Sequence, residues 1–293
     1  HQALIGRARA RARELGLPLV VLSFEPLPRE FFMAPEPPAR LILPAAKIAG
    51  LQSLEVDVIG LLRFNPAMVA MAAEDFVRAV LVAKLHAREV WVGPDFRFGH
   101  RRGGDVALLQ RMGAELGFAT HALPLVEDAG ERVSSTAVRA ALANAELDRA
   151  AILLGRRYAI PGRVVRGKQL GRTLGYPTAN LRFGGKRPPM HGIFATWVHG
   201  VGDRPMASVS SLGTRPTVNG KEPLLEAHLF DFNGDLYGRR ISVEFVAKLR
   251  DELKFDGLPA LIEQMDRDSA EARAILAGRA SAGLPQPLSL TTP

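Results

Sequence analysis

The chain has 293 residues, no cysteine, 47% hydrophobic residues and a formal net charge of +8. That length supports two ordered domains, while the lack of cysteine excludes disulfides, thiolate zinc sites and a cysteine nucleophile. No apolar run approaches the roughly 20 residues that span a bilayer, nothing at the start reads as a signal peptide, and the basic residues are spread along the chain, so we expect a cytoplasmic protein that binds neither membrane nor nucleic acid.

Residues 2–15 pattern as a helix, and Arg7, Arg9, Arg11 and Arg13 distribute charge around its axis instead of forming one basic face. A continuous apolar run over residues 19–24 predicts a buried strand. Residues 45–54 predict a helix, 56–62 a strand, 66–85 one long helix, 89–93 a strand, 104–117 a helix and 119–125 a strand. Short apolar strands separated by helices imply an α/β domain whose parallel sheet is covered on both faces. The Pro-rich residues 35–38 read as an exposed loop.

A helical pair near residues 135–154 closes this pattern, after which the signal changes. Residues 163–166, 192–199, 207–211, 224–230 and 241–246 are strand-like, with Gly, Pro, Asn and Asp between them. Successive short strands without intervening helices predict an antiparallel β-barrel. Residues 184–189 read as another exposed loop. Residues 258–276 form one amphipathic helix, and periodicity is lost from Ala277 to Pro293, where a flexible tail is expected. The expected organisation is therefore an α/β domain over 1–155, a β domain over 156–276 and a tail over 277–293.

Residues 167–180 read Gly-Lys-Gln-Leu-Gly-Arg-Thr-Leu-Gly-Tyr-Pro-Thr-Ala-Asn. Gly167, Gly171 and Gly175 permit a close backbone approach to a ligand, and Pro177 biases Tyr176 toward extended geometry. In the strand that follows, Thr178 and Asn180 point the same way and Ala179 points away. Two neutral oxygens beside phosphate suit Mg²⁺, and Lys168 and Arg172 add positive charge. A glycine-rich hairpin without a ligand also fits these residues.

Glu226 alternates with Leu225, Ala227 and Leu229, which places it with His228 on the opposite face of a strand. It could orient or deprotonate an attacking hydroxyl, although such a glutamate can equally be a solvated strand residue. Arg250 could pair with Asp251 or Glu252 at the surface. Ser134, Ser135 and Thr136 precede a helical pattern, where they could cap the helix or help to bind phosphate, with Arg139 as a cationic partner. Asp95, Phe96, Arg97 and Phe98 follow a strand, and their aromatics could simply anchor a core.

These blocks carry a resemblance. The Gly167–Asn180 loop, Glu226 in Leu-Leu-Glu-Ala-His-Leu-Phe-Asp-Phe and Arg250 in Leu-Arg-Asp-Glu-Leu-Lys-Phe are similar to a riboflavin kinase module. The N-terminal half resembles an FMN adenylyltransferase of Rossmann-like nucleotidyltransferase fold. Together, from His1 to about Ile275, they resemble the prokaryotic bifunctional riboflavin kinase/FAD synthetases. The resemblance implies small-molecule substrates, with riboflavin phosphorylated to FMN and FMN adenylylated to FAD, using ATP and Mg²⁺. It implies that Glu226 is the kinase base, that Thr178 and Asn180 hold Mg²⁺ and ATP, that Gly167 and Arg172 lie at the nucleotide, and that Arg250 contacts the flavin side. For the adenylyltransferase it implies that His1, Ser134, Ser135, Thr136 and Arg139 bind the nucleotide, with Asp95, Phe96, Arg97 and Phe98 on the flavin side.

Three departures from the family pattern stand out. Its leading strand and first histidine precede the position of His1, so an incomplete adenylyltransferase that makes FMN but little FAD is expected. Leu27 stands where histidine is frequent, and Ser211 where asparagine is common. Two rivals stay open on the residues: another nucleotidyltransferase fused to an unrelated barrel, and a non-catalytic regulator that binds flavin or nucleic acid.

Overall fold

The computed structural model describes all residues except 129, 168–170, 172–173, 218–219 and 280–293. The chain divides into two compact units, one of His1–Pro38 with Gly50–Arg132, the other of Ala39–Ala49 with the residues from Val133 onward. In chain order the first half carries α1 (Gln2–Leu15), β1 (Val20–Glu25), α2 (Pro28–Phe32), α3 (Pro44–Gln52), β2 (Val58–Arg63), α4 (Pro66–Ala70), α5 (Ala73–Phe76), β3 (Glu89–Val92), α6 (Val106–Leu116), β4 (Ala119–Ala122), β5 (Glu127–Asp128) and β6 (Glu131–Arg132). β1 pairs with β2 and β3 with β4, both in parallel. Among the described residues these remain two separate two-stranded sheets.

The alternation of strand and helix is the one expected, and helix ends explain much of it. Asp105 caps α6 by accepting the Leu108 N–H at 2.9 Å. Leu108, Leu109 and Met112 turn into a core with Phe76, Val77 and Phe118, while Ile5 and Ala8 of α1 cover Leu19 and Val56. The expected helix over 66–85 is broken. Met71 and Ala72 take extended geometry (ψ 124° and 155°), and a π-helical turn, Val77–Val82, follows α5. The break is held from outside: the His100 N–H donates to the Met71 carbonyl at 2.7 Å. Gly99, at φ 73°, packs so closely that a Cβ there would lie 2.6 Å from the Ala73 backbone.

The second half comprises α7 (Ser135–Ala143), α8 (Leu147–Leu154), β7 (Ala159–Arg163), β8 (Ala179–Arg182), β9 (Gly192–His199), β10 (Met206–Thr217), β11 (Gly220–Leu229), β12 (Arg240–Arg250) and α9 (Leu258–Arg279). Its six strands form one antiparallel sheet in the order β7-β12-β9-β10-β11-β8. A bridge from Val165 to Asn180 links its two ends, which makes the sheet a near-barrel. Fully buried Phe194, Leu212, Leu225 and Val243 fill the inside, with Phe194 edge-on to Phe245 at 5.1 Å. Each such side chain contributes about 1.5–3 kcal/mol by leaving water. Thr196 also faces inward, and its hydroxyl bonds those of Ser208 and Ser210 at 2.5 and 2.7 Å, which offsets the cost of burying them. On the outer face Ala272 and Leu276 of α9 pack against Ala195 and Val246.

Residues Ala39–Ala49 also belong to this unit. The Arg40 N–H donates to the Arg187 carbonyl at 2.7 Å, and the Tyr158 hydroxyl donates to Leu41 O at 3.0 Å. Strand limits differ from expectation at β7, which runs over Ala159–Arg163 and not 163–166. It carries Pro161 and Gly162, unfavourable in a strand interior, but β7 is an end strand of the ladder, where a missing N–H is tolerated. α9 continues beyond residue 276 to Arg279; the rest of the expected tail lies outside the described residues.

Candidate active site

β11 lies between β10 and β8 and presents Glu226 between its two neighbours. Glu226 is paired with Asn180 on one side and with Ser211 on the other. Leu225 and Ala227 are fully buried in the barrel, so Glu226 and His228 are left on the outer face, half-buried. Thr178 precedes β8, and its Oγ1 lies 3.4 Å from Glu226 Oε1. The Asn180 amide donates to the Thr178 carbonyl at 3.1 Å. The structure thus brings Thr178, Asn180 and Glu226 together.

Asn180 is 5% exposed, and its Oδ1 has no hydrogen-bond partner among the described residues. A buried carbonyl oxygen of this kind calls for a donor or a cation. Gly167 lies against it, since a Cβ at that position would stand 2.8 Å from Asn180 Oδ1. Among the described residues there is no cluster of three or more His, Asp or Glu suited to a metal. A cation here would rest on the neutral oxygens of Thr178 and Asn180 and on substrate phosphate, a donor set that fits Mg²⁺. Lys168 and Arg172 lie outside the described residues. His228 Nδ1 donates to the Pro177 carbonyl at 2.9 Å, and its ring lies 4.9 Å from that of Tyr176.

Arg250 ends β12, and neither surface partner considered for it takes its charge. Its guanidinium forms a forked pair with buried Asp268 of α9, Nε to Oδ1 at 2.9 Å and Nη2 to Oδ2 at 2.6 Å. Gln264 donates to the same carboxylate at 2.9 Å. Asp251 offers Arg250 only its backbone carbonyl, and its carboxylate pairs with Lys248 at 2.5 Å.

At the second candidate site, Ser134 caps α7 by accepting the Ala137 N–H at 3.1 Å, with Ser135 and Thr136 exposed beside it. Arg139 donates from Nε to the Ala39 carbonyl at 2.7 Å and from Nη1 to that of Ser135 at 3.1 Å. In the first unit Asp95 pairs with Arg132 at 2.8 Å, and Arg97 with Asp105 at 2.7 Å. The Leu108 N–H and the Arg97 guanidinium hold the Asp105 carboxyl below the usual carboxylate range. Phe96 and Phe98 stack at 5.4 Å; Phe98 packs against the core through Phe76, while Phe96 stays exposed. His1 is exposed at the start of α1, its carbonyl accepting the Ile5 N–H at 2.9 Å. Leu27 stands at the head of α2, where its N–H donates to Glu30 at 3.0 Å.

The polar contacts of three carboxylates had no signal in the sequence. Asp266 and Asp268 on α9 take Tyr176 and Arg250, partners far away along the chain. Glu244 is buried and accepts from Arg157 and from His199, both at 3.0 Å. Burial opposes ionisation of Glu244, but those two bonds outweigh it and hold its carboxyl below the ordinary value.

A nucleotidyltransferase-type α/β unit, followed by an antiparallel near-barrel and a C-terminal helix, defines a two-part transferase that uses nucleotides. Residues 1–137 match the FAD synthetase family and residues 154–276 the riboflavin kinase family. The chain belongs to the family of bifunctional riboflavin kinase/FMN adenylyltransferases. Relatives of that description from Haemophilus influenzae and Pseudomonas fluorescens are 41% and 45% identical, each over 94% of this chain and 89% of the relative. The Escherichia coli K12 relative is 42% identical over 93% of this chain and 87% of its own length. A solved structure from Streptococcus pneumoniae, described as a macrolide-efflux protein, superposes with a TM-score of 0.76 at 30% identity, over 93% of this chain and 89% of that one. Among the described residues of this chain no helix is long and apolar enough to cross a membrane. Family membership sets aside fusion of a different nucleotidyltransferase to an unrelated barrel.

Proposed function

We propose that this chain makes FAD in two ATP-dependent steps at separate sites, riboflavin phosphorylation within residues 156–276 and FMN adenylylation within residues 1–155. The observation that carries the kinase assignment is the placement of Glu226 directly across the ladder from Asn180, with Thr178 Oγ1 at 3.4 Å. The riboflavin 5′-hydroxyl attacks the γ-phosphorus of ATP in line, and Glu226 receives its proton as the bond to phosphorus forms and ADP leaves. Thr178 and Asn180 orient the Mg²⁺-bound phosphates, with Gly167 leaving room and Arg172 adding charge. Bound Mg²⁺ supplies charge neutralisation on the transferring phosphoryl group. Arg250, oriented by Asp268, serves the flavin side.

In the second step an FMN phosphate oxygen attacks the α-phosphorus of ATP, giving FAD and pyrophosphate. Ser134, Ser135, Thr136 and Arg139 at the head of α7 hold the triphosphate, where helix N–H groups and a cation stabilise the developing charge. Asp95, Phe96, Arg97 and Phe98 form the flavin side, with exposed Phe96 offering a ring face. No covalent enzyme intermediate is needed, because positioning and electrostatics carry phosphoryl transfer. We place the enzyme in the cytoplasm, acting on small molecules without a nucleic-acid or membrane partner. Mass analysis of products from riboflavin, ATP and Mg²⁺ tests this reading: FMN is expected, and a failure to form it would contradict the kinase assignment, while FAD beside it would set aside the expectation of an incomplete adenylyltransferase.

A further inference from the structure

The β8–β11 ladder begins at Ala179, opposite Ala227. Thr178 lies before it, outside the ladder among the described residues, so besides the Asn180 amide on its carbonyl the residues in front of it set the direction of its side chain. Two bonds from outside the loop hold them. The Tyr176 hydroxyl donates to the Asp266 carboxylate on α9, and the Pro177 carbonyl accepts from His228 Nδ1 at 2.9 Å. The Tyr176 ring packs on the His228 ring at 4.9 Å, so the two anchors brace each other. The Tyr176 N–H also donates to the Gly171 carbonyl at 2.7 Å. His228 follows Glu226 by two residues and shares its face of β11. One strand therefore presents both the base and the loop anchor.

We propose that Tyr176 is a positioning residue for ATP, latched to Asp266 of α9 so that Thr178 and Asn180 are held in register with Glu226. This rests on the kinase site proposed above. The latch acts on the ground-state geometry of the nucleotide loop and not on proton transfer, so its loss falls on ATP and spares the chemical step.

The test is steady-state FMN formation by the full chain carrying Tyr176→Phe, Asp266→Ala or both. Phe keeps the ring on His228 and removes only the hydroxyl; Asp266→Ala removes the same bond from the far side and does not disturb the loop sequence. Each single variant should raise KM for Mg²⁺-ATP about threefold to tenfold, the range expected for one ordinary hydrogen bond at a partly exposed site. kcat should stay within about twofold and KM for riboflavin should not move. The double variant should be no worse than Tyr176→Phe alone, because loss of the hydroxyl already removes the bond that Asp266→Ala removes. A merely structural role would lower thermal stability without this split between KM and kcat. An unchanged ATP KM in Tyr176→Phe, or additive defects in the double variant, would overturn the latch. Glu226→Gln run in the same assay separates the two levels: its inactivity beside a normal Tyr176→Phe rejects the latch alone, whereas its full activity rejects the site assignment itself.

Discussion

Glu226 and Asn180 face each other across the β11–β8 ladder, the carboxylate half-buried and the amide oxygen buried with no hydrogen-bond partner among the described residues. The amide oxygen and the Thr178 hydroxyl are neutral, so the site depends on a cation and phosphate to complete it. Thr178→Ala and Asn180→Ala should each raise KM for ATP, and the defect should shrink as Mg²⁺ is raised, since mass action refills a weakened site. ATP KM measured across a Mg²⁺ series checks this. Defects that ignore Mg²⁺ in both variants would remove these residues from the metal.

Asp268 is 4% exposed and carries the charge of Arg250. Asp268→Ala leaves that guanidinium largely buried without a counter-charge, which should cost about 3–5 kcal/mol of stability. Chemical denaturation with a barrel fluorophore such as Trp197 reads it. A loss below about 1 kcal/mol would place the pair with ordinary surface ion pairs.

Glu244 gives a pH signature. Its carboxyl is lowered in the folded state despite burial, because His199 and Arg157 bond the ionised form. A lowered folded pKa stabilises the fold above the unfolded value of about 4.3 and is lost as pH falls through the folded value. Glu244→Gln should therefore be much less stable than the parent at pH 7, and the gap should close in acid below about pH 4. Unfolding free energies measured from pH 7 to pH 3 would show this. A gap that stays constant with pH would mean that ionisation of Glu244 contributes nothing.

Much of this was legible in the residues. The alternation of Leu225, Ala227 and Leu229 with Glu226 and His228 fixes which face of β11 is buried, because a strand has a period of two. Pro177 and the pair Thr178 and Asn180 are likewise local signals, and the structure keeps both oxygens on one face. What escaped depends on distant partners. Met71 and Ala72 favour helix intrinsically, and their extended geometry is imposed by the His100 N–H and by the approach of Gly99 to Ala73. β7 hid behind Pro161 and Gly162, acceptable only because the strand is an end strand. Arg250 finds Asp268 across 18 residues and Tyr176 finds Asp266 across 90. No spacing rule for a helix or strand reaches that far.

The central claim, that Glu226 is the base of a riboflavin kinase built on the Thr178–Asn180 loop, is tested most directly by FMN formation in Glu226→Gln. The amide keeps the shape of the side chain and its place opposite Asn180, but it cannot accept the hydroxyl proton. FMN formation should fall about 10²- to 10⁴-fold, the usual contribution of a general base, while KM for Mg²⁺-ATP stays near that of the parent. Turnover of riboflavin at the parental rate by Glu226→Gln would contradict the account.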